Sequence, residues 1–142
     1  MKLTNNFYKS EFDSKDGAKM PLEVFYNIQK LANQLQYLRD YLNRPIKINS
    51  GYRSPQHNKS IGGVSNSQHV LGKASDIVVK NLTPLQVYKI IDKLINDGNM
   101  LQGGLGLYDN FVHYDIRGKK ARWNYSTKYK SYYCSQFATY TK

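Results

Sequence analysis

Between Pro21 and about Asn43, apolar residues return at three- and four-residue steps: Leu22, Phe25, Ile28, Leu31, Ala32, Leu35, Leu38 and Leu42. That period predicts an amphipathic helix whose stripe faces a core, with Pro21 placed for its first turn. In "RPIKINSGYRS", Ile46 and Ile48 alternate with polar residues and predict a short strand ending at Ser50-Gly51. From Ser54 to Gly72 no period is visible, and Pro55, Gly62, Gly63 and Gly72 mark the stretch as mostly loop. "KASDIVVK" reads as a strand. "NLTPLQVYKIIDKLINDG" is the clearest helix, with Thr83 as N-cap, Pro84 at the first helical position, Gln86 completing a capping box and Gly98 as the stop. "GGLGLYDNFVHYDIRG" reads as a β-hairpin about Asp109-Asn110, residue types that accept the positive φ of a tight turn. Residues 1–20 are polar and end in the turn-rich "SKDGAKMP". Lys119 to Lys142 is basic, rich in tyrosine and without a period. No repeat or linker divides the chain, so residues 1–142 are read as one domain.

A chain of 142 residues is long enough to bury a core without covalent staples. Its net charge of +11 suits an anionic partner, whether nucleic acid, a phosphate-bearing cell wall or an anionic membrane, and equally suits a solvated basic surface. Cys134 is the only cysteine, which excludes an intramolecular disulfide and a thiolate cluster and leaves it as a small apolar filler. "MKLTNNFYKS" lacks the apolar run of a secretory signal, and no segment approaches the ~20 apolar residues of a membrane span. The expectation is a protein made in the cytoplasm.

Candidate chemistry lies in two places. On a strand through "FVHYDIR", Phe111, His113 and Asp115 share one face while Val112, Tyr114 and Ile116 take the other, as on a strand that floors a polar site. Upstream, His69 precedes Asp76 with six residues between them, and Asp76 is the only acidic residue between Asp40 and Asp92. Asp76 is then either a surface charge before a strand or part of a metal site. His69, Asp76 and His113 make a His₂Asp set of the kind that holds zinc while leaving a position for water.

"INSGYRSPQHN", "IGGVSNSQHVLGKASDI" and "GGLGLYDNFVHYDIRGKKARW" resemble the M15 family of zinc peptidases, the D-alanyl-D-alanine carboxypeptidases and phage endolysins whose fold is shared with the hedgehog signalling domain. "SEFDSKDG" and "NIQKLANQLQYLRDYLNRPIKINSGYRS" extend the resemblance over roughly residues 7–123, leaving 124–142 as a basic, tyrosine-rich extension. The resemblance implies an α+β single domain with a small antiparallel sheet flanked by helices. It implies one Zn²⁺ per chain, held by His69, Asp76 and His113, and the peptide stem of peptidoglycan as substrate. It places Arg53 where the family keeps an arginine for substrate carboxylate or oxyanion. Ser50, Ser67 and His57 are further substrate-side candidates, Ser67 as a ligand-orienting or substrate contact and His57 as a cap of the "SPQHN" turn.

A carboxylate is needed to take the water's proton and return it to the leaving amine. Several relatives carry that acid three positions before the second zinc histidine, where this chain has Asn110. Asp115 and Asp109 are the candidates that remain. Asp115 is read either as the base or as the group that orients a zinc histidine. The tail invites three readings, namely tyrosines packed on the core, glycan stacking and nucleic-acid contact, with packing as the default. Trp123 is read as core or cleft wall. The expected protein is thus a monomeric peptidoglycan peptidase, with an anionic wall polymer fitting its charge and no nucleic-acid partner. It reaches the wall by phage-mediated release or as part of a virion. The rival is a non-catalytic wall-binding or phage structural protein that keeps the fold.

Overall fold

The computed structural model describes residues 1–132. A 3-10 turn, Lys9–Phe12, leads to helix α1 (Leu22–Leu42), strand β1 (Ile46–Ser50) and the short helix α2 (Pro55–Ser60). Strand β2 (Ala74–Val79), helix α3 (Pro84–Asn96) and strands β3 (Gly104–Leu107), β4 (Val112–Asp115) and β5 (Ala121–Asn124) follow. The architecture is α+β, built on one five-stranded sheet in the order β1-β2-β4-β3-β5.

The long periodic segments fold as their patterns require. Helix α1 buries Val24, Ile28, Leu31, Ala32, Leu35 and Leu38 on one stripe. Pro21 sits at its N-cap, one position before the first helical turn, and Asn43 closes it in a left-handed conformation at φ 51°. Helix α3 forms the expected capping box between Thr83 and Gln86, with Pro84 in its first turn. Ile77, Val112, Tyr114, Leu105 and Leu107 join the buried residues of both helices in one hydrophobic cluster.

Three local features depart from the sequence reading. The stretch from Ser54 is not all loop: the Ser54 hydroxyl accepts from the His57 amide and Pro55 opens helix α2. One turn and a half is too short to show a hydrophobic period, which is why the pattern is blank there. The β3–β4 hairpin closes through residues 108–111 rather than a two-residue turn, and neither Asp109 nor Asn110 adopts positive φ. Four-residue hairpin loops are most often built around a type I turn, which needs no left-handed residue. Finally, "ARWN" is strand β5, and it pairs parallel with β3 at the sheet edge, so the sheet is antiparallel except at that one pair.

Beyond β5 the chain folds back on the core, with Tyr129 and Tyr132 partly buried against it. Tyr132 meets Tyr88 edge-on at 6.2 Å, and the Lys89 ammonium lies 5.1 Å from the Tyr132 ring. The packing reading of the tail thus holds for these two tyrosines. Cys134 lies outside the described residues. None of the described helices is long and apolar enough to cross a membrane.

Candidate metal centre

The sheet supplies two of the three candidate ligands as direct neighbours. Asp76 on β2 and His113 on β4 are register partners in adjacent antiparallel strands, so their side chains project from the same face. Ile77 pairs with Val112 on the opposite, core-facing side. The third ligand comes from the loop before β2. The amide of Arg53 donates to the His69 carbonyl at 3.1 Å, and the His69 ring lies against the Gly51 carbonyl at 2.8 Å. All three residues are buried, and their ligand atoms lie within 4.8 Å of one another.

The hydrogen bonds dictate which ring nitrogens carry protons. A carbonyl oxygen only accepts, so His69 Nδ1 must be the donor towards Gly51 and its Nε2 presents a lone pair. That Nε2 faces Asp76 Oδ1 at 3.3 Å. His113 Nε2 lies 2.6 Å from Asp115 Oδ2, an oxygen that also receives the Arg117 guanidinium at 2.8 Å. A carboxylate paired with arginine is ionised and accepts, so His113 donates from Nε2 and turns the Nδ1 lone pair towards Asp76 Oδ1, 3.2 Å away. Three lone pairs therefore converge on one point: His69 Nε2, His113 Nδ1 and Asp76 Oδ1. Acceptors packed this closely repel unless a proton or a metal ion sits among them. Two imidazoles and one carboxylate are a donor set suited to zinc, and the residues present fit that ion.

Burial disfavours the charged forms here, and the local partners overrule it. Burial pushes the Asp76 carboxyl up, but the His113 and His69 rings against it hold it well below the ordinary carboxylate range. Burial likewise works against a charged His113, yet Asp115 and Asp76 on its two ring nitrogens raise its pKa above the usual histidine value. Both directions favour a positive charge among the three groups, whether a proton or a metal ion.

Around the triad lies a pocket of about 430 Å³, lined among others by Arg53, Ser67, Tyr108, Arg117 and Trp123. Arg53 points into it: Nε donates to Ser50 at 3.3 Å, and the two terminal nitrogens donate to Asn58 and to Asp76 Oδ2 at 3.3 and 3.4 Å. Of the substrate-side candidates, Arg53 and Ser67 line the pocket, and Trp123 forms part of its wall. Ser67 accepts from the His69 amide and so shapes the ligand loop. Ser50 touches the pocket only through Arg53. His57 lies in the first turn of α2, outside the pocket lining.

The two carboxylates considered as bases both accept hydrogen bonds from protein donors. Asp115 is fully buried; its Oδ1 accepts from the Gly104 amide and from Arg117 N and Nε, and its Oδ2 from His113 and Arg117. Burial would raise this carboxyl, and the bonds from His113 and Arg117 more than offset it, holding it low. Asp109 turns to the segment after β5, accepting from the Thr127 amide and hydroxyl and from the Lys128 amide at 2.7–2.8 Å. Asn110 is exposed beside Lys128.

Other contributors escaped sequence reading because their roles depend on contacts between distant segments. Buried Asn58 joins Arg53 to the loop, donating to the Val64 carbonyl at 2.7 Å. Gly106 lacks a side chain where the Trp123 indole crosses it, and a Cβ there would overlap the ring. The indole lies 5.1 Å from His113 and donates to the Tyr108 hydroxyl at 3.0 Å. The pairing of β3 with β5 creates this contact, and "GLGLY" is its only trace in the sequence.

Residues 2–115 match the family described as Peptidase M15. A 45-residue stretch is 42% identical to the zinc D-Ala-D-Ala carboxypeptidase of Streptomyces albus G, covering 31% of this chain and 18% of that protein's length. With four-fifths of the sequence matched by the family and a buried His-Asp-His cluster in its pocket, this chain belongs to the peptidase M15 family.

Proposed function

We propose that the protein is a zinc-dependent peptidase that hydrolyses a peptide bond of the peptidoglycan stem or cross-bridge, with His69, Asp76 and His113 holding the metal. The observation that carries this reading is the convergence of three lone pairs in a pocket that also receives the Arg53 guanidinium. Family membership and the short stretch shared with a zinc D-Ala-D-Ala carboxypeptidase support the reaction class and the substrate. Zinc, when bound, acidifies a water to a pKa of about 7 and polarises a carbonyl oxygen. Everything else must come from the chain. Arg53 offers a guanidinium for the substrate's carboxylate or its developing oxyanion, held in place by Ser50, Asn58 and Asp76. Ser67 holds the loop that carries His69.

Asp115 serves as a positioning residue. Its oxygens are committed to His113, Arg117 and Gly104, so it fixes the His113 tautomer and ring instead of exchanging protons with the pocket. Asp115→Asn should therefore weaken zinc binding roughly 10–100-fold, with activity restored by excess metal. Zinc titration of activity in that variant is the check. Full zinc affinity with lost turnover would make Asp115 the base instead.

A non-catalytic wall-binding role is the second reading, favoured by one observation. Among the described residues, the only carboxylate lining the pocket is Asp76, itself a candidate ligand. Purified peptidoglycan, incubated with the zinc-loaded protein and with a chelator-treated control, decides between the two by mass analysis of the released fragments. Zinc-dependent loss of terminal D-Ala identifies a carboxypeptidase, and cleaved stems or cross-bridges identify an endopeptidase. Intact muropeptides with retained wall binding would establish the non-catalytic role.

A further inference from the structure

The face of β3 that looks towards the metal cluster carries Gly104, Gly106 and then, one step past the strand, Tyr108. The glycines leave space for Asp115 and for the Trp123 indole, so Tyr108 contributes the first side chain on that face. Its ring is clamped, stacked on Phe111 with centroids 4.4 Å apart at 12° and met edge-on by Tyr125 at 5.9 Å. It lines the same pocket as Arg53, His69, Asp76 and His113.

The hydrogen-bond geometry gives the phenol a direction. Indole N–H only donates, so Trp123 Nε1 at 3.0 Å fixes the Tyr108 oxygen as an acceptor. The phenolic proton is then left for another partner, and no acceptor receives it among the described residues. Burial raises the phenol's pKa above its usual value of 10, with the Asp76 charge adding to the effect, so the proton stays on the oxygen at neutral pH. A rigid, protonated hydroxyl in a polar pocket is a preorganised donor, and such donors act most strongly where negative charge develops.

We propose that Tyr108 is a catalytic residue whose hydroxyl donates a hydrogen bond to the substrate oxygen that gains charge in the transition state, alongside Arg53 from the other segment of the wall. The inference rests on the zinc-peptidase reading above. It also gives Trp123 a function: the indole N–H holds the phenol oxygen, and the proton is left facing the pocket.

Tyr108→Phe removes one oxygen and keeps the ring packing. The test measures hydrolysis of a D-Ala-D-Ala-terminated stem peptide, binding of a phosphinate dipeptide that mimics the tetrahedral state, and bound zinc. The expected result is a fall in kcat of roughly 10–100-fold with KM nearly unchanged, phosphinate affinity lower by a similar factor, and full zinc content. Trp123→Phe should show a smaller loss of the same kind, because the phenol remains but is no longer held. Unchanged kcat and phosphinate affinity in Tyr108→Phe would overturn the proposal, as would a loss confined to KM. If the zinc-loaded parent neither cleaves the peptide nor binds the phosphinate, the peptidase reading fails first and takes this inference with it.

Discussion

Replacing His113 with alanine should strip the protein of most of its zinc and abolish metal-dependent hydrolysis. The three candidate ligands come from two adjacent strands and a loop, and none duplicates another. The two remaining ligands are too few to hold a tetrahedral ion tightly. The change also removes the ring that Asp115 orients, leaving that carboxylate to Arg117 and Gly104. Elemental analysis after dialysis measures the effect directly, and His57→Ala is the matched control because His57 lies in α2, outside the pocket. A His113→Ala protein with full metal content would refute the ligand set.

Arg53→Ala should leave zinc in place and reduce turnover by roughly 10²–10³-fold, the scale of losing one oxyanion-type donor. The contacts of Arg53 inside the protein are long, at 3.3–3.4 Å, so the guanidinium is held loosely enough to transfer its donors to a substrate. Lysine should rescue poorly, because a compact ammonium does not reproduce the planar fork of donors. The readouts are kcat/KM on the stem peptide and zinc content measured on the same preparation. Turnover unchanged in Arg53→Ala would reduce Arg53 to a tether of the Asn58 loop.

The strand face of His113 was visible in the sequence for the same reason as the two long helices, whereas Arg53 was placed only by resemblance to the family. Information carried by short-range patterns survives without coordinates. The three-four period of α1, the Thr83-Pro84-Gln86 cap of α3 and the alternation through "FVHYD" each involve neighbours a few residues apart. The side-chain alternation alone put His113 and Asp115 on one face, as found. The triad needed more than pattern: His69 and Asp76 stood out as isolated chemistry, and resemblance to the family joined them to His113.

What the chain alone determined, then, is its two long helices, its main strands, its charge and the residue types able to bind a metal. The tertiary structure decided everything that depends on who sits beside whom. Helix α2 was hidden because six residues carry no period, and β5 because four residues in a basic tail look like tail until β3 pairs with them. The pairing of β5 with β3 lays Trp123 over Gly106 and brings its indole N–H to the Tyr108 hydroxyl, a relation between positions 15 residues apart that no local pattern encodes. Asp115 is the clearest case. As a residue type it suits a base, but burial and hydrogen bonds from His113, Arg117 and Gly104 commit both oxygens to the protein. Its burial and the Gly104 amide of the neighbouring strand exist only in the folded sheet, and they are the ground for proposing Asp115 as a positioning residue and not the base.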